Sequence, residues 1–156
     1  LARLNTIGPP PNITADQQMA MEDLADQYGA VFHERPCKMS IVAQGILSGL
    51  VTPWELLSIH RGNRASLEAM TPELLDLDLE RAVPHVSVPV FFYLGRHDRH
   101  VDSSIAAGYF ESLRAPKWLI WFENSAHNVP FEEPQLFNET VVRSLQSIGI
   151  QRQIRY

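Results

Sequence analysis

The chain has 156 residues and a formal net charge of −5, from 13 basic and 18 acidic side chains. Its apolar fraction of 45 % excludes a mainly disordered chain. The acidic balance disfavours a nucleic-acid partner, which needs clustered lysine and arginine. The single cysteine, Cys37, excludes an internal disulfide framework and a cysteine-rich zinc module.

No export or membrane signal is visible in the sequence. The chain starts at Leu1, and no basic stretch followed by an apolar run comes after it. Residues 39–51 lean apolar, but they are too few and too interrupted for a membrane span, which needs about 20 apolar residues. We expect a cytoplasmic protein with no membrane partner. The start at a leucine suggests a trimmed chain or a fragment.

Helix signals dominate residues 1–82. Residues 8–11, Gly-Pro-Pro-Pro, predict a stiff connector because proline interrupts helices. Thr14 and Gln17 have the spacing of a capping box, which predicts the start of a first helix. Residues 39–50 predict a second helix.

Two proline-containing motifs predict further helix starts. Thr-Pro-Trp-Glu at residues 52–55 combines a capping threonine, a proline at the first helical position and a capping-box glutamate. This helix should run toward Met70. Thr-Pro-Glu at residues 71–73 repeats the signal and predicts a new helix that ends near Ala82. We therefore expect up to four helices before Pro84.

The pattern then changes to alternating strands and helices. Residues 88–94 and 117–122 are short apolar runs rich in β-branched and aromatic side chains. Such runs are typical of strands buried on both faces of a parallel sheet. Between them, Asp102 predicts the N-cap of a helix that ends near Leu113.

The end of the chain completes a repeated strand–helix order. Residues 123–130 are predicted as a loop, and a last helix begins at Glu132 or Glu133, where acidic side chains favour the helix dipole. Residues 151–156 are a polar tail. The order predicts two parallel strands joined by a right-handed crossover. Two parallel strands are not a stable sheet, so residues 83–150 predict one end of a larger one.

Two polar side chains follow the predicted strands directly. Asp98 lies just past the first strand, and His127 lies in the loop after the second. Reactive groups of open α/β sheets collect at the carboxyl ends of the strands, so a hydrogen bond between the two is expected. An aspartate in this position fixes the imidazole tautomer and stabilises the imidazolium that forms when histidine takes a nucleophile's proton.

The sequence resembles the C-terminal end of an α/β-hydrolase, closest to the proline iminopeptidase-like enzymes, at residues 88–98, 123–127 and 131–134. The likeness extends over about residues 86–145, and the earlier helices resemble the cap that such enzymes insert before their last two strands. It implies an α/β fold in which a helical cap, residues 1–82, precedes the last two parallel strands and helices of the hydrolase sheet, residues 83–150.

The resemblance also implies functional residues. In that family one strand-end loop supplies the acid of a Ser-His-Asp triad, and a later loop supplies the histidine. Carried over, Asp98 is the acid and His127 is the base. The implied reaction is hydrolysis of an ester or amide through an acyl-enzyme, without a cofactor. The substrate would be a small molecule or a short peptide, as in an aminopeptidase.

The sequence departs from the family in one decisive respect, because it contains no Gly-x-Ser-x-Gly nucleophile motif. The most similar stretch, Gly-Ile-Leu-Ser-Gly at residues 45–49, has the wrong spacing and no predicted strand before it. We therefore expect the nucleophile and the oxyanion-hole loop upstream of Leu1, in an N-terminal half from the same gene or a separate chain. The chain alone should be inactive.

Alternative assignments exist for the acid, for the nucleophile and for a metal site. Asp102 is the rival acid but is better explained as a helix cap, and Ser125 is better explained as a loop hydrogen-bonder than as a nucleophile. His97 and His100 beside Asp98 suggest a metal site. Adjacent residues on a tight turn would have to converge on the ion, so we predict none.

The helical region contains several candidate substrate-binding residues, and no motif selects one of them. In aminopeptidases of the family, cap carboxylates hold the substrate's amino group; the candidates here are Glu22, Glu34, Glu55 and Glu68. The side chains that could line an apolar pocket, or simply pack the cap, are Met19, Met21, Phe32 and Trp54. Two alternative functions stay open: a non-catalytic binding or regulatory module of the same fold, and a metal-dependent hydrolase.

Overall fold

The computed structural model describes residues 13–34 and 37–149, which leaves the predicted proline-rich connector and the polar tail outside the described part. Contacts divide these residues into two units, the first with residues 13–29 and 37–78 and the second with residues 30–34 and 79–149. The division into a cap of residues 1–82 and a core of residues 83–150 stays a prediction.

The first unit is helical, with α1 at Ala15–Gln27, α2 at Cys37–Leu47 and α3 at Pro53–Asp76. Both predicted capping boxes are confirmed. Thr14 and Gln17 exchange backbone-to-side-chain hydrogen bonds at the start of α1, and Thr52 and Glu55 do the same at the start of α3. None of the helices within the described ranges is long and apolar enough to cross a bilayer.

The predicted helix break at residues 71–73 is wrong, because α3 continues through Pro72 to Asp76. The Thr71 hydroxyl does not cap a new helix but donates to the Gln18 side-chain oxygen on α1, at 3.0 Å. Pro72 removes one helical hydrogen bond, and the contact with α1 holds this turn in place. The fourth helix, α4, is a single turn at Leu79–Ala82.

The second unit contains β1 at Val90–Gly95, α5 at Ser103–Ser112 and β2 at Lys117–Phe122. The strands are parallel, as predicted, with Val90 opposite Lys117 and Gly95 opposite Phe122. The predicted single last helix is divided into a one-turn helix, α6 at Val129–Glu132, and α7 at Pro134–Ser147. The second unit thus has the mixed helix and strand composition of an α/β fold.

Aromatic side chains hold the helices against both faces of this strand pair. On one face Tyr93, the fully buried Phe122 and Phe137 of α7 form a cluster with ring centroids 5.7–6.1 Å apart. On the other face Phe92 contacts Tyr109 and Phe110 of α5 edge-on. The alternation along β1 therefore places α5 and α7 on opposite sides of the strands.

We expect Phe122→Ala to lower the free energy of unfolding by about 3–5 kcal/mol, because it empties a fully buried ring site at the end of β2. Phe131→Ala is the matched control, since that ring is 49 % exposed, and it should cost about 1 kcal/mol or less. Urea unfolding of the two variants measures the difference. Equal losses would contradict the assignment of the core.

Candidate active site

The two strands end level with each other, so the loops that follow them leave the sheet at the same edge. Gly95 pairs with Phe122 in the register, and the next residue, Arg96, donates its backbone N–H to the Phe122 carbonyl at 2.9 Å. One residue on, the His97 N–H donates to the Ser125 carbonyl, also at 2.9 Å. Backbone hydrogen bonds therefore continue the pairing from the strands into both loops.

Gly95 lets the two loops approach this closely. A Cβ atom at this position would lie 1.8 Å from the Ala126 carbonyl oxygen and 2.7 Å from the Ser125 carbonyl oxygen. Both distances are far below van der Waals contact, and both involve backbone atoms that cannot rotate away. The site thus requires glycine at the last position of β1.

Asp98 and His127 are brought together by these loops. The Asp98 Oδ2 atom lies 3.0 Å from His127 Nδ1. The other carboxylate oxygen, Oδ1, accepts the backbone N–H groups of His100 at 2.9 Å and Val101 at 3.1 Å. The Asp98 side chain is 7 % exposed, whereas that of His127 is 40 % exposed. The buried carboxylate is therefore fixed by its own loop, and the imidazole reaches the surface.

This geometry assigns the imidazole protons. A carboxylate only accepts hydrogen bonds, so Nδ1 of His127 carries the proton that Asp98 receives. In the neutral form of a ring with that proton, Nε2 is an acceptor, which is the arrangement a general base needs.

The other histidines of this region pack against rings. His100 lies edge-on against His127, with ring centroids 4.7 Å apart, and its buried Nδ1 has no hydrogen-bond partner within the described residues. His97 stacks on His33 at 3.5 Å with nearly parallel planes. Over residues 13–34 and 37–149, histidine, cysteine and acidic side chains form no group of three that could hold a metal ion.

The two rival site residues are engaged elsewhere. Asp102 is the N-cap of α5, where its Oδ1 accepts the Ser104 N–H at 2.9 Å. Hydrogen bonds from Ser104 hold the pKa of Asp102 below its usual value. Ser125 is fully buried, and its hydroxyl donates to Glu133 Oε2 at 2.6 Å.

An exposed ion pair adds a further connection between the loops. Arg96, on the Asp98 loop, donates to both carboxylate oxygens of Glu123, on the His127 loop, at 2.7 and 3.1 Å. The guanidinium also lies over the Trp121 ring, 4.1 Å from its centroid. The hydrogen bonds from Arg96 hold the pKa of Glu123 below its ordinary value.

Two carboxylates near His127 make contacts that the sequence does not indicate. Glu132 and Glu133 were expected to favour the dipole of a last helix, but their side chains bond to the loop that carries His127. Glu132 Oε2 accepts the Ala126 N–H at 2.8 Å, and Glu133 Oε2 accepts the Asn124 N–H at 3.2 Å. No pattern in the sequence indicates these hydrogen bonds, because the donors are backbone N–H groups and not side chains.

The predicted substrate-binding carboxylates have different surroundings. Glu55 belongs to the α3 capping box, and Glu68 pairs with Arg64 at 3.0 Å. Glu34 is largely exposed beside His33, at 3.8 Å. Glu22 is half-buried on α1. Of the apolar candidates, Phe32 is buried in the second unit, Trp54 and Met21 are exposed in the first, and Met19 is half-buried there.

We expect Gly95→Ala to force the two loops apart, because the new methyl group collides with the backbone at Ala126. The free energy of unfolding should fall by about 1–3 kcal/mol. Gly108→Ala is the control, since a Cβ atom at that position in α5 would meet no atom within 4 Å beyond the backbone of its own helix. It should be neutral or stabilising by up to about 1 kcal/mol. If urea unfolding gives the two variants equal stability, the close approach is wrong.

The Arg96–Glu123 pair predicts a pH dependence. The pKa of Glu123 is lower in the folded protein than its ordinary value of 4.5, so the ion pair stabilises the folded state at pH values above 4.5. Its contribution is lost as the pH falls through the lowered folded pKa. The stability difference between wild type and Glu123→Gln should therefore be present near neutral pH and vanish in acid. Urea unfolding across this range measures it; a difference independent of pH would contradict the pairing.

Comparison with known proteins gives similarities in sequence and in structure. The sequence matches no family profile. It is 32 % identical over 117 residues to a probable aminopeptidase, YbaC, of Bacillus subtilis (strain 168), a stretch that covers 74 % of this chain and 36 % of that protein. The structure is similar to an esterase, EaEST, from Exiguobacterium antarcticum, with a TM-score of 0.50 and 20 % identity. That match covers 88 % of this chain and 50 % of the esterase, and it supports an α/β fold.

Proposed function

We propose that this chain is the C-terminal part of a serine hydrolase of the α/β-hydrolase class and supplies the acid and the base of its catalytic triad. The observation that carries the proposal is the 3.0 Å contact between Asp98 and His127 at the carboxyl edge of two parallel strands. The similarity to a probable aminopeptidase and to an esterase supports a hydrolytic reaction.

In the proposed mechanism His127 moves the protons and Asp98 orients it. Nε2 of His127 takes the proton of a serine hydroxyl as that oxygen attacks the substrate's carbonyl carbon. The imidazolium then gives the proton to the leaving alcohol or amine, and an acyl-enzyme remains. Water repeats the two steps and releases the acid. Asp98 stabilises the imidazolium through Nδ1 at each stage.

The nucleophile is proposed to come from outside these 156 residues. The sequence has no nucleophile motif, and Ser125, the serine nearest to His127 in the chain, is buried and donates to Glu133. The chain spans about a third of the probable aminopeptidase and half of the esterase. Further strands of an N-terminal half would cover the strand edges and carry the serine.

The proposed substrate is an ester or an amino-terminal amide of a small molecule or short peptide. The esterase likeness and the aminopeptidase likeness point to acyl transfer with different leaving groups. An ester and an amino-acid p-nitroanilide, assayed side by side, distinguish them.

A fluorophosphonate probe tests the location of the nucleophile. The 156-residue chain alone should take up no probe, whereas the product of the complete reading frame should be labelled on a serine outside these residues. Stoichiometric labelling of a serine within the chain would overturn the proposal. Absence of labelling in the complete product would favour the alternative of a non-catalytic binding module.

The roles in the pair are tested by two isosteric substitutions in the complete product. Asp98→Asn should lower kcat on the order of 10⁴-fold, because the amide favours the wrong imidazole tautomer. Asp102→Asn is the matched control: asparagine caps a helix as well as aspartate does, so activity should stay within a few-fold of wild type. Equal effects of the two substitutions would contradict the assignment of Asp98.

A further inference from the structure

A short segment that follows α1 lies across both loops of the candidate site. We call residues 30–34 the bridging segment; they belong to the second unit. The Ala30 carbonyl accepts the N–H of Arg99, one residue after Asp98, at 3.2 Å. The Val31 carbonyl accepts the N–H of His127 itself, also at 3.2 Å. The bridging segment thus fixes the backbone of His127 relative to the loop that carries Asp98.

The bridging segment is fastened by one carboxylate. Glu132 Oε1 accepts the His33 N–H at 2.5 Å, and its Oε2 accepts the Ala126 N–H at 2.8 Å. The two oxygens of a single side chain therefore join the bridging segment to the residue that precedes His127. A carboxylate bonds to backbone N–H groups more strongly than a neutral acceptor does.

Burial and ring contacts show that the bridging segment is part of the site's packing. Ala30 is 7 % exposed and Phe32 is 4 % exposed. The His33 ring stacks on His97, which immediately precedes Asp98. Contacts from Ala30, Val31 and His33 thus alternate between the Asp98 loop and the His127 loop.

We infer that Glu132 is a positioning residue for the catalytic pair, and that it acts by clamping the bridging segment to the His127 loop. The inference rests on the proposed function of Asp98 and His127. The hydrogen bonds of Glu132 go to the backbone N–H groups of His33 and Ala126 and not to the imidazole, so Glu132 sets where the ring lies rather than its chemistry. A displacement of the base by about 1 Å is enough to cost a large factor in rate.

Glu132→Gln is the sharp test, because the two side chains have the same shape. Glutamine has only one acceptor oxygen, and its NH₂ group must face one of the two N–H donors. In the product of the complete reading frame, kcat should fall between about 10- and 100-fold while KM stays within a few-fold. Glu139→Gln is the control, since that glutamate is exposed on α7 and pairs only with Arg143 within the described residues.

A double mutant separates positioning from general destabilisation. If Glu132 acts through the pair, Asp98→Asn with Glu132→Gln should be no slower than Asp98→Asn alone. Full additivity, a kcat equal to wild type, or a loss matched by Glu139→Gln would overturn the inference while the proposed function stands. An Asp98→Asn variant with wild-type kcat would overturn both.

Folding is monitored separately, by circular dichroism and urea unfolding of each variant. Should Glu132→Gln not fold, Glu132→Asp replaces it, because the shorter carboxylate keeps two acceptors but cannot span both donors. The same fall in kcat with unchanged KM is then expected, and wild-type kcat overturns the inference.

Discussion

The close approach of Gly95 to the backbone at Ser125 and Ala126 is the constraint on which the candidate site depends. It lets the loop after β1 bond along the loop after β2, from Arg96 to Phe122 and from His97 to Ser125. With the backbones held at that distance, Asp98 and His127 need no long reach to form their 3.0 Å contact. A strand pair that ended out of register would place the same side chains on different levels.

The site is held from several directions by polar contacts. Asp98 receives two backbone N–H groups from its own loop, and the His127 loop is held by the carboxylates of Glu132 and Glu133. These hydrogen bonds hold the backbone of the two loops, so the loss of one of them leaves others that keep each loop in place. The Asp98 carboxylate is buried and held by its loop, whereas the His127 ring beside it is accessible from the surface.

Local signals predicted most of the elements, and a topological rule predicted the pair. The capping boxes at Thr14 and Thr52 depend on neighbouring residues, so the sequence determines them. The meeting of Asp98 and His127 follows from the rule that parallel strands end at a common edge. The predicted helix break at Pro72 was wrong because the Thr71 hydroxyl donates to Gln18 on α1. This contact spans 53 residues, and a local pattern does not contain it.

The bridging segment and its clamp were beyond sequence reasoning for a related reason. Ala30 and Val31 contribute backbone carbonyls, which every residue has, and Glu132 receives backbone N–H groups. No side-chain pattern marks such contacts, and those of the bridging segment join positions about 70 to 100 residues apart. The helix dipole is a sufficient local explanation for the acidic pair before Pro134, so the sequence does not indicate the long-range contact of Glu132.

The position of the proton on the His127 ring shows whether Asp98 orients the imidazole. A ¹H–¹⁵N NMR spectrum of the histidine side chains, recorded near neutral pH, distinguishes a ring protonated at Nδ1 from one protonated at Nε2. We expect the Nδ1-protonated tautomer for His127 and its loss in Asp98→Asn. A ring protonated at Nε2, or a spectrum unchanged by Asp98→Asn, would contradict it.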